Sequence, residues 1–128
     1  MSLVTPLNRV LGLGSAKEGA EHWWAQRLSA VALVLLGIWL TVAVLGFESF
    51  DYAFVIDWIR TPVNSILLIL TVIALGYHSQ LGVQIVVEDY VHGTGLKIAT
   101  LIFSTFVHFL LVVAGVFSVL RLAFGAAA

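Results

Sequence analysis

The segment PVNSILLILTVIALGYHSQLGVQIVV, residues 62–87, decides the fold of this chain. It is apolar over more than the ~20 residues that a helix needs to cross about 30 Å of hydrocarbon. Inside lipid the segment has to be helical, because only a helix satisfies its own backbone polar groups. Pro62 suits the first turn of such a helix, where a missing N–H costs little. The sequence therefore predicts a transmembrane helix here.

Two more apolar runs extend this prediction to the whole chain. They cover residues 24–47 and 96–120. Of the 128 residues, 61% are hydrophobic and 10% are charged, and the mean hydropathy is +1.08. A soluble domain is nearer half apolar and a quarter charged. We therefore expect an all-α integral membrane protein, with a three-helix transmembrane bundle over residues 23–128 and a polar cytoplasmic segment at 1–22.

Composition also excludes several classes of function. The chain has no cysteine, so it offers no disulfide, no thiolate for an iron–sulfur cluster and no thiol nucleophile. Its net charge of −1 lacks the basic excess that is typical of proteins that bind nucleic acid. The lipid membrane is the partner that the composition predicts.

The distribution of basic residues predicts the orientation. If the N-terminus is cytoplasmic, four Lys and Arg residues lie on the cytoplasmic side, and two, Arg60 and Arg121, lie outside. Cytoplasmic loops carry an excess of Lys and Arg, so we expect an N-in, C-out arrangement. The first residues lack the apolar core of a secretory signal and are not clearly a mitochondrial transit peptide. A bacterial inner membrane is therefore favoured over the mitochondrial inner membrane.

The polar residues within the second span point to a ligand. At about 100° per residue, His78 shares one stripe of the helix with Gly82, Ile85 and Asp89, and Asp89 lies about 16 Å further along the axis. A neutral imidazole is a good axial ligand for haem iron, and a glycine one turn away leaves room for a flat macrocycle. The alternative is that His78 bonds a neighbouring helix and Gly82 is a close-packing contact.

His108, in the third span, is a secondary candidate. It shares a face with Ser104 and Gly115, but no acidic or aromatic pair follows it. A hydrogen bond between helices is the favoured role for this ring.

The pair Asp89–Tyr90 closes the second span at the cytoplasmic interface. Tyr90 can serve as an interfacial anchor, or its phenol can donate a hydrogen bond to a ligand carbonyl beside the acid. Arg27 starts the first span on the same side of the membrane. It can meet an anionic group such as a haem propionate, or extend to lipid phosphate.

Together these residues resemble a known family. The stretch RVLGLGSAKEGAEHWWAQRLSA, residues 9–30, stands before an apolar span, and His78 and Gly82 precede DYVHG, residues 89–93. The pattern is similar to the smaller hydrophobic membrane-anchor subunit of succinate dehydrogenase, complex II of the respiratory chain and part of the tricarboxylic acid cycle. In that family, two anchor subunits bury haem b between them and border a ubiquinone pocket beside the iron–sulfur subunit. The flavoprotein subunit of the complex oxidises succinate.

The resemblance assigns roles to individual residues. It implies that His78 is one axial ligand of haem b, with the second supplied by the companion anchor subunit, and that Tyr90 hydrogen-bonds a quinone carbonyl beside Asp89. Arg27 matches an arginine near the haem propionates and the quinone pocket. Some members carry an acid five residues before that arginine, where this chain has His22, so a proton path through that acid does not carry over.

The expected function is therefore an anchor within an oxidoreductase, and this chain alone does not oxidise succinate. A cytochrome b anchor of fumarate reductase or of another quinone-linked oxidoreductase is an alternative. A small transport or channel protein that uses His78 and His108 as a polar relay is another, and a structural anchor without a ligand is a third.

Overall fold

The computed structural model describes residues 17–125. Within this range the chain forms four helices and no strand. The helices are α1 (Lys17–Leu45), α2 (Tyr52–Arg60), α3 (Pro62–Tyr90) and α4 (Thr94–Phe124).

Three of these helices are long and apolar enough to cross a membrane. The candidate spans are Ala20–Leu45, Pro62–Tyr90 and Thr94–Phe124. Large apolar side chains cover their outer surface, as Leu35 (65% exposed) and Phe103 (69% exposed) illustrate. Such a surface is stable in lipid and would aggregate in water. The predicted all-α bundle with three transmembrane helices is confirmed.

The helices extend beyond the predicted apolar runs. α1 begins at Lys17, because the polar residues before Trp23 are mostly strong helix formers such as Ala, Glu and Lys. α3 continues past Val87 to Tyr90. Residues 1–16 of the expected cytoplasmic segment lie outside the described range.

The connection between the first two spans differs from the expected loop. Residues 48–61 contain α2, whose half-buried side chains Phe54, Trp58 and Ile59 share one face, while Asp57 is exposed. Trp58 stacks on Trp39 of α1 with ring centroids 5.8 Å apart. The helical period of the apolar residues, rather than the charges of this segment, decides its structure.

Arg60, at the end of α2, fastens this short helix to the end of α4. Its guanidinium donates hydrogen bonds to the carbonyl oxygens of Leu122 (3.4 Å) and Gly125 (3.3 Å). The last carbonyls of a helix have no partner within the helix, so these bonds cap α4. Asp57 accepts a further bond from Arg60 at 3.5 Å, and a cavity of about 570 Å³ lies beside this contact.

α3 lies between α1 and α4 and contacts both. The most buried described residues are two serines and two apolar residues: Ser29, Ser65, Leu81 and Val87. Small residues let membrane helices approach closely, and lipid gives little hydrophobic drive for their association. Contact between the helices is therefore built from small and weakly polar side chains.

Two glycines set the distance between α3 and α4. A Cβ added at Gly76 would collide with Cγ2 of Val112, and one added at Gly115 would lie 2.8 Å from Cγ1 of Val72. Each glycine thus receives a valine from the opposite helix. By contrast, Gly37 in α1 has no atom within 4 Å of an added Cβ.

We expect Gly76→Ala to destabilise the protein, because the new methyl group displaces Val112, whose rotamer is restricted in a helix. The free energy of unfolding should fall by about 1–3 kcal/mol. Thermal unfolding in detergent micelles measures the change. Gly37→Ala is the matched control and should cause no loss. The double variant Gly76→Ala/Val112→Ala removes the collision and should be less destabilised than the sum of the single variants. Equal melting of Gly76→Ala and Gly37→Ala would contradict this packing.

Candidate functional site

A polar cluster lies at the contact between α1 and α3. His22, Gln26 and Ser29 are four and three residues apart, so they share one face of α1. His78 and Gly82 are one turn apart on α3. We call these five residues the seam cluster. It is the polar part of an otherwise apolar contact.

The ring of His78 is turned toward α1. Its Nδ1 lies 3.0 Å from Oγ of Ser29, and its Nε2 lies 3.4 Å from the amide nitrogen of Gln26. The hydroxyl of Ser29 also lies 3.1 Å from the backbone oxygen of Gln26, to which it donates. The imidazole is half-buried, while Ser29 is buried. His78 therefore faces the protein and not the lipid.

Two atoms of the seam cluster have no partner. Nε2 of His22 and Oε1 of Gln26 are buried and form no hydrogen bond with any described residue. A buried polar atom without a partner costs roughly 1–3 kcal/mol. A polar ligand or a second chain at this contact would recover that free energy.

Gly82 leaves space beside His78. A Cβ built at Gly82 would meet the Gln26 amide nitrogen at 3.9 Å, which is ordinary contact with the end of a flexible side chain. The approach of α1 to α3 therefore does not depend on a glycine at this position. The helix axis beside the imidazole is covered by a movable amide.

The seam cluster fits an axial ligand better than a complete metal site. No group of three or more His, Asp or Glu side chains able to hold a metal occurs among residues 17–125. A single imidazole with one nitrogen hydrogen-bonded and the other near a movable amide can serve where a macrocycle supplies the equatorial ligands. The cluster is thus compatible with a haem, and the second axial ligand has to come from another chain.

Asp89 and Tyr90 end α3 beyond the stripe that carries His78. Both side chains are exposed, and Tyr90 is 77% exposed. The ring of His92 contacts the backbone oxygen of Tyr90 through Nδ1 at 3.1 Å. The described residues do not enclose a ligand at the phenol, so a pocket there needs a second chain.

Arg27 lies away from the seam cluster. Its guanidinium carbon is 5.5 Å from the ring centre of Trp23, and the side chain is exposed. On the helical wheel Arg27 is about 100° from Gln26, the neighbouring residue that contacts His78. This chain alone therefore does not bring Arg27 to the imidazole.

His108 makes the hydrogen bond between helices that its position predicts. Its Nε2 lies 3.1 Å from Oγ of Ser79 on α3. Its Nδ1 lies 2.8 Å from the backbone oxygen of Ser104, one turn earlier on α4. Both ring nitrogens have partners, so His108 holds α4 to α3.

Gln26 and Ser29 are site residues that the sequence alone did not predict. A signal was present, because the spacing of His22, Gln26 and Ser29 places three polar side chains on one face of an apolar helix. Polar residues at membrane depth face a protein neighbour. Only the pairing of α1 with α3 shows that this neighbour is His78.

The fold and the seam cluster define a class of protein. The chain is an integral membrane protein with three helical spans and an inward-facing histidine at a helix–helix contact. Residues 1–119 match the family described as the succinate dehydrogenase/fumarate reductase transmembrane subunit. The chain belongs to this family, which confirms the resemblance seen in the sequence.

Individual relatives carry the same description. The chain is 32% identical over 126 residues to a succinate dehydrogenase hydrophobic membrane anchor subunit of Paracoccus denitrificans, covering 98% of this chain and 97% of the relative. It is 40% identical over 84 residues to the corresponding protein of Rickettsia bellii, covering 66% and 67%. The match to the protein of Rickettsia conorii, 37% identical over 79 residues, covers 61% of this chain and 63% of the relative. The chain therefore aligns with less than two thirds of some relatives.

Proposed function

We propose that this chain is a membrane-anchor subunit of succinate:ubiquinone oxidoreductase in the bacterial inner membrane. It holds haem b through His78, contributes Tyr90 and Asp89 to the ubiquinone-reduction site, and docks the flavoprotein and iron–sulfur subunits. The observation that supports the haem role most directly is the inward-facing imidazole of His78, with Ser29 at one nitrogen. Family membership supports the rest.

In the haem site, His78 supplies the lone pair of Nε2 and the companion anchor subunit supplies the second axial ligand. When bound, haem b carries one electron at a time and ties the two anchor subunits together. Gln26 gives up its long contact to Nε2, which costs little because a hydrogen bond of 3.4 Å is weak. Buried Nε2 of His22 offers a polar group at the same contact.

At the quinone site, the phenol of Tyr90 donates a hydrogen bond to a carbonyl oxygen of ubiquinone. Reduction to ubiquinol adds two electrons and two protons, so the donor stabilises negative charge as it develops on that oxygen. The electrons come from an iron–sulfur cluster of another subunit, because this chain has no cysteine to ligate one. Asp89 lies next to Tyr90 in the chain and faces the cytoplasmic water from which protons arrive.

The companion anchor subunit closes the pocket around Tyr90. The exposure of this side chain in the single chain supports a site shared between chains. Arg27, which points away from the seam cluster, is available to an anionic group or to the partner at the same membrane face.

Co-purification tests the whole proposal. The tagged chain, extracted from its native membrane in mild detergent, should bring down a flavoprotein, an iron–sulfur protein and a second small membrane protein. The complex should reduce ubiquinone with succinate and show a reduced-minus-oxidised spectrum of b-type haem. A companion set without a flavoprotein, or no haem signal, would contradict the proposal. A complex that favours fumarate reduction with a low-potential quinol would support the fumarate reductase alternative.

The absence of cysteine permits a clean test of orientation. We expect a membrane-impermeant maleimide to label Glu48→Cys from the periplasm of intact cells, because residue 48 lies after the first span. Gly95→Cys, in the exposed start of α4, should react only after the inner membrane is opened. The unsubstituted chain is the control and should not react. The opposite labelling pattern would reverse the N-in assignment.

A further inference from the structure

We propose that Ser29 is a positioning residue for the haem ligand: its hydroxyl holds the Nδ1–H of His78, which fixes the ring so that Nε2 faces the iron. This inference rests on the proposed haem role of His78. It concerns a residue on a different helix, 49 positions earlier in the chain.

The protonation state follows from coordination. A neutral imidazole has one proton, and a ring bound to iron through Nε2 carries that proton on Nδ1. Nδ1 then needs an acceptor, because a buried N–H without a partner is costly. The oxygen of Ser29, 3.0 Å away, is the acceptor that the structure provides.

The hydroxyl of Ser29 is itself oriented. Its one hydrogen points to the backbone oxygen of Gln26 at 3.1 Å, so a lone pair of Oγ is directed elsewhere. The resulting chain runs from His78 Nδ1–H to Ser29 Oγ–H and on to the Gln26 carbonyl. Every donor in it has an acceptor.

Burial separates this arrangement from an ordinary helical serine. Serines in transmembrane helices commonly donate to a carbonyl one turn earlier, and this bond alone satisfies them. Ser29 is 8% exposed and sits where α1 meets α3, so its second contact is made within the protein. A hydroxyl is also a weaker acceptor than a carboxylate, so it orients the ring without giving it strong anionic character.

The consequence is measurable in the haem and not only in turnover. In the purified complex, Ser29→Ala leaves Nδ1–H without its acceptor and lets the ring turn about its side-chain bonds. The reduction potential of haem b should become more positive, because a less basic ligand stabilises ferric iron less. The electron paramagnetic resonance g values of the ferric haem should shift as the ring plane rotates. Haem retention should fall by about 10–100-fold, the usual effect of removing such a partner.

Two further substitutions separate the hydroxyl from the space it fills. Ser29→Thr keeps the hydroxyl and should retain the potential and g values of the unsubstituted complex, whereas Ser29→Val has the same shape as threonine without the hydroxyl and should behave like Ser29→Ala. Ser104→Ala removes the hydroxyl 3.3 Å from Nδ1 of His108 and is the matched control, with no expected shift.

The outcomes distinguish this inference from the function on which it rests. Absence of haem from the unsubstituted complex would overturn both. Haem that is present, with the same potential and g values in the threonine and valine variants, would overturn the role of Ser29 and leave His78 as a ligand. If Ser29→Ala fails to assemble, the threonine–valine comparison still decides.

Discussion

Replacement of His78 by alanine should abolish the b-type haem spectrum of the assembled complex. The imidazole is the one haem-ligand candidate in the described residues that is turned toward α1 and has a nitrogen facing only a movable amide. Without it, the iron loses one of two axial bonds and the haem loses its attachment to this chain. We expect haem content to fall at least about tenfold, measured by reduced-minus-oxidised difference spectra normalised to the flavoprotein.

His108→Ala is the matched control, because it removes the other intramembrane histidine. Both nitrogens of His108 are engaged by Ser79 and Ser104, so its loss should weaken the contact of α3 with α4 and leave the haem spectrum intact. A normal spectrum in His78→Ala, with a lost spectrum in His108→Ala, would transfer the ligand role to α4. Loss in neither variant would favour a transport or purely structural role.

Replacement of Tyr90 by phenylalanine should separate the two halves of the reaction. Succinate oxidation with a soluble artificial acceptor should persist, because the flavin and iron–sulfur clusters lie in other subunits. Reduction of ubiquinone should slow by about 10–100-fold, since a hydrogen bond to a group that gains negative charge contributes roughly 1.5–3 kcal/mol. The phenyl ring keeps the interfacial aromatic surface, so an anchoring role alone predicts no change.

Tyr52→Phe provides the control for Tyr90→Phe. Tyr52 is equally exposed, at 80%, but it opens α2 at the opposite end of the bundle. Succinate–ubiquinone reductase activity should be unchanged in this variant. Equal activity of the Tyr90 and Tyr52 variants would contradict the quinone role, and loss of artificial-acceptor activity in Tyr90→Phe would indicate failed assembly instead.

The spans could be predicted from the sequence because length and hydropathy decide them. The ends could not, since the residues from Lys17 to His22 are mostly good helix formers although they are polar, and hydropathy marks where lipid begins and not where the helix begins. The charges of residues 48–61 predict a loop, whereas the period of Phe54 and Trp58 decides α2. In each case local helical preference acts independently of membrane depth.

The candidate site was only half visible in the sequence. His78 stands out because an ionisable residue in lipid is costly. Ser29 and Gln26 are uncharged and lie 49 and 52 residues away from His78, so nothing local marks them as its neighbours. The exposed position of Arg27 likewise depends on how α1 is rotated against α3. Pairings between helices follow from packing, which a single span does not encode.

The long contact between Gln26 and Nε2 of His78 bears on the order of assembly. A newly inserted polypeptide has an uncoordinated imidazole within the bilayer before its cofactor and its companion arrive. The glutamine side chain shields that ring from hydrocarbon in the meantime, and a bond so easily exchanged presents little obstacle when iron takes its place. Insertion of the polypeptide and loading of the porphyrin can therefore be separate events in the biogenesis of the complex.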